Sequence, residues 1–136
     1  MKKLKYLTVF LCTAGLYGCT PTLDTSSFEA AETSISDIRR SLKEDKQLKF
    51  DKIVRFYSLG ERYMLCPACL AREFNTATKE KIQGQALQRI SRFDGMSYEE
   101  IEKYYDEDYP KFVVKQEQEL AKQRKRREEF MNHFDF

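Results

Sequence analysis

The sequence predicts an all-α fold: a small bundle of four or five helices with a polar C-terminal helix, preceded by a cleaved signal peptide. Three observations predict it. From Phe28 onward, apolar residues recur at alternating steps of three and four, the spacing that gathers them on one side of a helix. Ser26 and Ser97 are each followed three residues later by a glutamate, Glu29 and Glu100. That spacing lets a hydroxyl and a carboxylate satisfy the free N–H groups of a helix start. The run from Lys115 to Glu129 is built almost wholly from Lys, Arg, Glu, Gln and Ala, which lose little on entering a helix. The chain divides into a leader over 1–18, a tether over 19–25, a helical domain over 26–114 and a charged C-terminal helix or tail over 115–136.

Lys2, Lys3 and Lys5 make a cationic start, Leu4 and then Tyr6 through Tyr17 an uncharged and mostly apolar run, and Leu16-Tyr17-Gly18-Cys19 closes it. This is the layout of a secretory signal. The apolar run of about 12 residues falls short of the roughly 20 that cross a bilayer, so a spanning helix is the weaker reading. A cysteine directly after a small residue resembles a bacterial lipoprotein signal. The resemblance implies cleavage before Cys19 and acylation of its thiol; an ordinary secretory signal is the alternative. Tyr17 is bulkier than the Ala, Ser or Thr usual at its position, which implies slower processing. Several acyl chains, at about 0.8 kcal/mol per buried methylene, hold a protein on a membrane where one chain holds it marginally. Thr20, rather than an aspartate, implies by the same resemblance the periplasmic face of the outer membrane in a Gram-negative host.

Removing residues 1–18 from the 136 leaves 118, enough for one domain with a modest core. The whole chain carries 24 Lys and Arg against 22 Asp and Glu, and the leader holds three of the lysines, so the remainder is close to neutral with a slight acidic excess. That balance argues against nucleic acid as a partner. It also leaves lipid, rather than charge, as the anchor.

Thr20 to Thr25, with Pro21, reads as a short irregular tether that keeps the domain close to the membrane. Phe28, Ala31, Ile35, Ile38 and Leu42 mark the apolar stripe of a first helix opened by Ser26, with Glu32, Ser34, Asp37, Arg39 and Arg40 on its solvated side. The stripe reads as core; barely two heptads long, it is a poor coiled-coil seam. Glu44 to Gln47 reads as a charged break. Leu48, Phe50, Ile53, Val54 and Tyr57, with Met64 and Leu65 as further candidates, mark a second helix paired antiparallel with the first, and Gly60 interrupts it. Pro67 predicts an end to that element. Phe74 to Thr78 reads as a polar connector, and Lys79 to Phe93 as a third helix with Ile82, Ala86, Leu87, Ile90 and Phe93 on its apolar side. Gly95 fits the positive φ needed just past a helix end. Ser97 and Glu100 open a short helix through Tyr105, burying Ile101, Tyr104 and Tyr105. Pro110 fits the first turn of the last helix. Phe112, Val113 and Val114 are its last apolar cluster before the polar run, and Phe130, Met131, Phe134 and Phe136 form an apolar end.

Leu23-Asp24-Thr25-Ser26-Ser27 ahead of an amphipathic helix, and the later Phe93-Asp94-Gly95-Met96-Ser97 junction followed by Glu99-Glu100-Ile101, resemble a family of small bacterial lipoproteins of unknown function. The resemblance covers about residues 16–106. It implies no activity, substrate or cofactor. The Cys66-Pro67-Ala68-Cys69 segment and the long charged tail depart from the family's pattern.

Of the four cysteines, Cys12 is discarded with the leader and Cys19 is the anchor. Cys66 and Cys69 remain, and an exported pair tends to oxidise, so a structural disulfide is predicted. The spacing also matches thioredoxin-type redox motifs, where a helix N-terminus stabilises the first thiolate; no strand-period segment precedes this one. A zinc knuckle needs four ligands, and only these two cysteines and His133 are at hand. His133 has no neighbouring nucleophile to activate. No phosphate loop, nucleophile elbow or His-Glu-x-x-His pair occurs. Tyr105-Asp106-Glu107-Asp108-Tyr109 lacks the glycine and ligand alternation of a calcium loop and reads as solvated. The basic run at 124–127 reads as a solvated face, with contact to anionic lipid headgroups and insertion of the terminal phenylalanines as the alternative. The expectation is a cell-envelope lipoprotein that is not an enzyme, needs no cofactor or metal, and acts as a structural or protein-interaction module. It touches the membrane through its N-terminal lipid, binds an envelope protein, and takes neither nucleic acid nor a small-molecule substrate. The alternatives are a thiol-disulfide redox role through Cys66 and Cys69 and a toxin-neutralising or exclusion lipoprotein.

Overall fold

The computed structural model describes residues 19–133. The leader over 1–18, with Cys12, and the terminal Phe134 and Phe136 lie outside the described residues. Those described form six α-helices and one 3-10 turn, with a single bridge between Thr22 and Ser97 and no strand. The fold is all-α, as predicted, with more helices than the four or five that periodicity marks.

α1 (Phe28–Ser41) starts one residue later than the serine–glutamate spacing predicts. Asp24 Oδ1 accepts the N–H of Ser26 at 2.9 Å and turns the chain there. Ser27 is then the extended residue ahead of the helix, and its Oγ accepts from the Ala30 N–H at 3.0 Å. Ser34, predicted on the solvated side, is buried beside Ala31 and Ile38. Its Oγ receives the Asp24 N–H at 3.0 Å and donates to the Ala31 carbonyl at 3.1 Å, and a buried hydroxyl with both partners costs little.

Only Leu42 and Lys43 separate α1 from α2 (Glu44–Leu59). The predicted charged break is therefore the first turn of α2, where Glu44 and Asp45 face exposed N–H groups that favour negative charge. Phe50, Ile53, Phe56 and Tyr57 are buried. Leu48, predicted on that face, points away and is 62% exposed, while Phe56, absent from the predicted stripe, is central to it. Gly60, with φ +76°, ends α2. A side chain there would be strained and would press on Arg89, whose guanidinium donates to the Ser58 carbonyl at 2.9 Å.

α3 (Glu61–Leu65) is a little over one turn. α3 ends at Leu65, ahead of Pro67 as predicted, and Pro67 also opens α4 (Pro67–Thr76). In a first turn its missing N–H is not needed. Phe74 to Thr76, predicted as connector, belong to α4, which buries no side chain. Thr78 caps α5 (Lys79–Ile90) by accepting from the Lys81 N–H at 3.3 Å. A 3-10 turn over Ser91–Phe93 carries it to its predicted end. Gly95 makes the next turn at φ +73°, and Ser97 and Glu100 form a full capping box.

The helix opened there does not stop near Tyr105. α6 (Tyr98–Asn132) runs 35 residues through Pro110. The acidic residues 106–108, predicted as a loop, and the proline, predicted in a first turn, both lie inside it. Proline leaves the Asp106 carbonyl without its helical donor, at a cost of about 3 kcal/mol. Asp106 and Pro110 are exposed, so water reaches the gap. Phe56 holds the helix across it: its ring meets Tyr105 at 5.5 Å, Tyr109 at 5.8 Å and Phe112 at 5.3 Å, on both sides of the proline. Lys49 adds ion pairs to Glu102 at 2.8 Å and Asp106 at 2.9 Å.

The predicted tether is pinned to the body. Leu23 is 5% exposed and lies in the core. Its N–H donates to the Met96 carbonyl at 2.9 Å, and its carbonyl accepts from the Gly95 N–H at 2.7 Å. Thr25 donates its N–H and its hydroxyl to Asp94 Oδ1, at 2.7 and 2.9 Å. A leucine among polar residues, with the turn's own N–H and C=O for partners, makes this stretch a strap.

Two predictions follow from the packing. Phe56→Ala should cost about 3–5 kcal/mol in urea unfolding, whereas Pro110→Ala should raise stability by about 1–3 kcal/mol and leave the helix in place by circular dichroism. The second prediction concerns pH. Burial opposes the charge on Glu102, but hydrogen bonds from Lys49 and Tyr98 outweigh it and hold the carboxyl below its ordinary 4.5. The Glu102 hydrogen bond holds Lys49 above its ordinary 10.5. A lowered carboxyl stabilises the fold above its unfolded value, and that contribution is lost as pH falls through the folded value. A raised ammonium contributes below its unfolded value and loses this as pH rises. Urea midpoints should therefore fall on acidification below 4.5 and on alkalinisation above 10.5, and Glu102→Gln should flatten both limbs.

Candidate functional site

The strap carries the first candidate to one end of the body. Cys19 is exposed and is a free thiol. With Thr20 and Pro21 it lines a shallow cleft against Ile38, Ser41 and Leu42 of the end of α1 and Tyr98 and Glu99 of the start of α6. Three residues separate it from the buried Leu23. The thiol predicted to carry acyl chains thus stands beside the N-terminus of α6, with little free chain between it and the core.

Cys66 and Cys69 are joined, with S–S 2.07 Å and Cα–Cα 5.2 Å. Cys66 both closes α3 and caps α4, and Cys69 lies in the first turn of α4. Cys66 is the capping residue, and its Sγ accepts the Cys69 N–H at 3.2 Å. The exposed N–H groups of a helix start gather positive potential at that sulfur. Pro67 and Ala68 between them are exposed.

Asp106 and Asp108 of α6 are engaged. Asp108 accepts from the Tyr57 hydroxyl at 3.0 Å and from Arg92 at 2.8 Å. Burial first, and then the bond to Asp108, push the Tyr57 hydroxyl above its ordinary value. Arg92 lies over the rings of Tyr57 and Phe93, 4.9 and 4.6 Å from their centres. The open cleft beside them, of about 420 Å³, is edged by Phe56, Arg89 and Lys111. Its central charges are already satisfied, so it clamps the end of α5 to α6. Among the described residues no three His, Cys, Asp or Glu side chains gather to hold a metal ion, and no helix is long and apolar enough to cross a membrane. His133 is exposed at the C-terminal cap of α6.

The basic run lies on α6 beyond its packed part. Phe112 is the last buried side chain, and Lys115 pairs with Glu61 of α3 at 2.8 Å. From Leu120 to His133 every residue is exposed. Lys122 pairs within the helix with Glu119 at 2.7 Å and Lys125 with Glu129 at 3.9 Å. Arg124 and Arg127 meet no carboxylate within ion-pair distance among the described residues. The predicted polar helix exists, and periodicity missed that it is the unbroken continuation of the helix before Pro110. The signal that could have found this is Phe112 itself, which repeats the core spacing set by Ile101 and Tyr105.

Fold and site together define a small all-α body that carries a free thiol at one end and a long polar helical arm at the other. The chain belongs to the family of unknown function DUF6694, which matches residues 2–109. No curated protein and no solved structure matches it. The family match ends at Tyr109, one residue before the proline, so the arm lies outside it, as does the buried Phe112.

A ring of four residues restrains little chain, and on the entropic account it stabilises by less than the roughly 3 kcal/mol of a 15-residue loop. Since α4 buries no side chain, Cys66→Ala with Cys69→Ala should leave the urea midpoint of the body nearly unchanged. Amide hydrogen exchange should speed up over residues 66–76 only; uniform acceleration through α2 and α5 would contradict this.

Proposed function

We propose that the chain is a lipid-anchored protein of the bacterial cell envelope that works by binding and not by catalysis. The observation that carries the reading is the pairing of a cationic, apolar leader ending in Leu16-Tyr17-Gly18-Cys19 with an exposed Cys19 just ahead of a docked strap. Cleavage before Cys19 exposes its amine, and acylation of the thiol supplies the membrane hold. The family match begins at residue 2, so the leader belongs to what the family shares, which supports the reading. Thr20 favours the outer membrane. With only Thr20 and Pro21 between the anchor and the paired Thr22, the body stands directly on the lipid surface, and its partner is an envelope protein.

Labelling cells with a radioactive fatty acid tests this. The protein should take up label, fractionate with membranes and lose both properties in Cys19→Ser. A labelled Cys19→Ser protein would refute the anchor.

The capping position of Cys66 favours a second reading, a thiol-disulfide role. A thiolate at a helix start is stabilised, which makes the disulfide easier to reduce and a better oxidant. Equilibration with glutathione separates the two readings. A potential between about −120 and −180 mV supports redox work, and one below about −300 mV marks a structural bridge.

A further inference from the structure

We infer that the arm of α6, residues 116–133, is a docking element for an acidic protein partner, presented at the end of the molecule opposite the lipid anchor. α6 begins beside Ser97, which is bridged to Thr22 next to the anchor cysteine. Its 35 residues rise about 1.5 Å each, so the tip lies about 50 Å from that end, and the arm itself is about 25 Å long. This direction deepens the proposed function, since standing clear of the anchoring membrane rests on attachment at Cys19. The chemistry of the arm does not depend on it.

Leu120, Arg124, Arg127 and Met131 follow one another at steps of four, three and four, which places them on one stripe. Leu120 is 44% and Met131 61% exposed. The stripe is apolar at both ends and cationic in the middle, and among the described residues neither arginine meets a carboxylate within ion-pair distance, Glu128 one turn on from Arg124 included. Anchors at such steps are how a helix seats in a groove of another protein. Two guanidinium groups with no carboxylate within ion-pair distance among the described residues favour an acidic partner, whose carboxylates they grip in a two-pronged manner.

A second copy of the chain fits poorly. Parallel arms set Arg124 and Arg127 against their own counterparts. The antiparallel register that matches Leu120 with Met131 sets Arg124 against Arg127. Either way arginine meets arginine, and like charges at a helix seam repel. A bilayer fits poorly as well. Lys122, Lys125 and Arg126 fall on the remaining sides of the helix, and Arg124 and Arg127 divide Leu120 from Met131, so no continuous apolar side is left to lay into lipid.

The test is a titration of the full-length chain, held in neutral detergent micelles, with three synthetic peptides. The first is an amphipathic helix of about four heptads with leucines on one face and glutamates flanking them. The second carries lysines in place of the glutamates, and the third keeps the acidic composition with the leucines scrambled. The acidic amphipathic peptide should bind saturably, at least about ten-fold tighter than either control, and weaken as salt rises. Arg124→Glu with Arg127→Glu, and separately Leu120→Asp, should each weaken it by about ten-fold or more, with the urea midpoint of the body unchanged. Three results would overturn the inference: equal binding of the scrambled peptide; binding to phosphatidylglycerol vesicles with the same dependence on Arg124 and Arg127; or concentration-dependent dimers in sedimentation that Leu120→Asp abolishes. None of these bears on acylation of Cys19, so the anchor and the arm can fail separately.

Discussion

The ring of Phe56 is the contact on which the rest of this architecture depends. α2 lies against α1, α3, α5 and α6, and its buried face of Phe50, Ile53, Phe56 and Tyr57 is the surface they share. Phe56 contacts four aromatic rings at centroid distances from 5.0 to 5.8 Å. Three of them, Tyr105, Tyr109 and Phe112, straddle Pro110. Edge-to-face pairs contribute about 0.5–1.5 kcal/mol each beyond the burial of their surface. Three such pairs are of the same size as the roughly 3 kcal/mol that an interior proline costs a helix. The helix therefore continues where its local sequence says it should stop.

That competition also explains which parts of the fold were legible. Periodicity identified α1, α2 and α5 because each turns a regularly spaced apolar side toward the rest of the body. The cap at Ser97 and the glycine turn at Gly95 were legible because both are local, depending on residues within one turn. The errors come from partners that periodicity does not see. Ser26 fits a capping box and Ser27, with Ala30 three residues on, does not, yet the Asp24 carboxylate takes the Ser26 N–H and leaves Ser27 to cap the helix. Pro67 follows the end of α3 and also opens α4, and the spacing foretold only the end. Leu23 is one leucine among polar residues, so nothing in its neighbourhood shows that Gly95 and Met96, seventy residues on, offer it a bridge.

The candidate sites divide in the same way. Cys19 and the Cys66–Cys69 pair were legible as chemistry, because cysteine spacing carries its own meaning. Their settings were not. Whether Cys66 lies in a bend or at a helix start decides whether its sulfur sees a field of N–H groups, and that depends on how Pro67 is used. Asp106 and Asp108 looked solvated because their partners, Lys49, Tyr57 and Arg92, come from α2 and from the turn after α5. The arm's polarity was plain from composition, but its direction could not be read without the continuity of α6.

Direction is where the packing reaches function. Were α6 broken at Pro110, the last segment would be a separate helix free to fold back, and its basic run could lie beside Cys19. Continuity removes that freedom. The strap sets Cys19 at the start of α6, and Phe56 keeps the helix whole through the proline, so the two chemically distinct ends of the chain are held apart by one rigid element. The boundary of the family match falls at Tyr109, at the edge of the aromatic cluster. The match thus stops one residue before Pro110, and Phe112, which fastens α6 beyond the proline, lies outside it. The exposed Cys19 and the polar arm are in this way separated along a single helix, and the interaction that keeps that helix whole is buried.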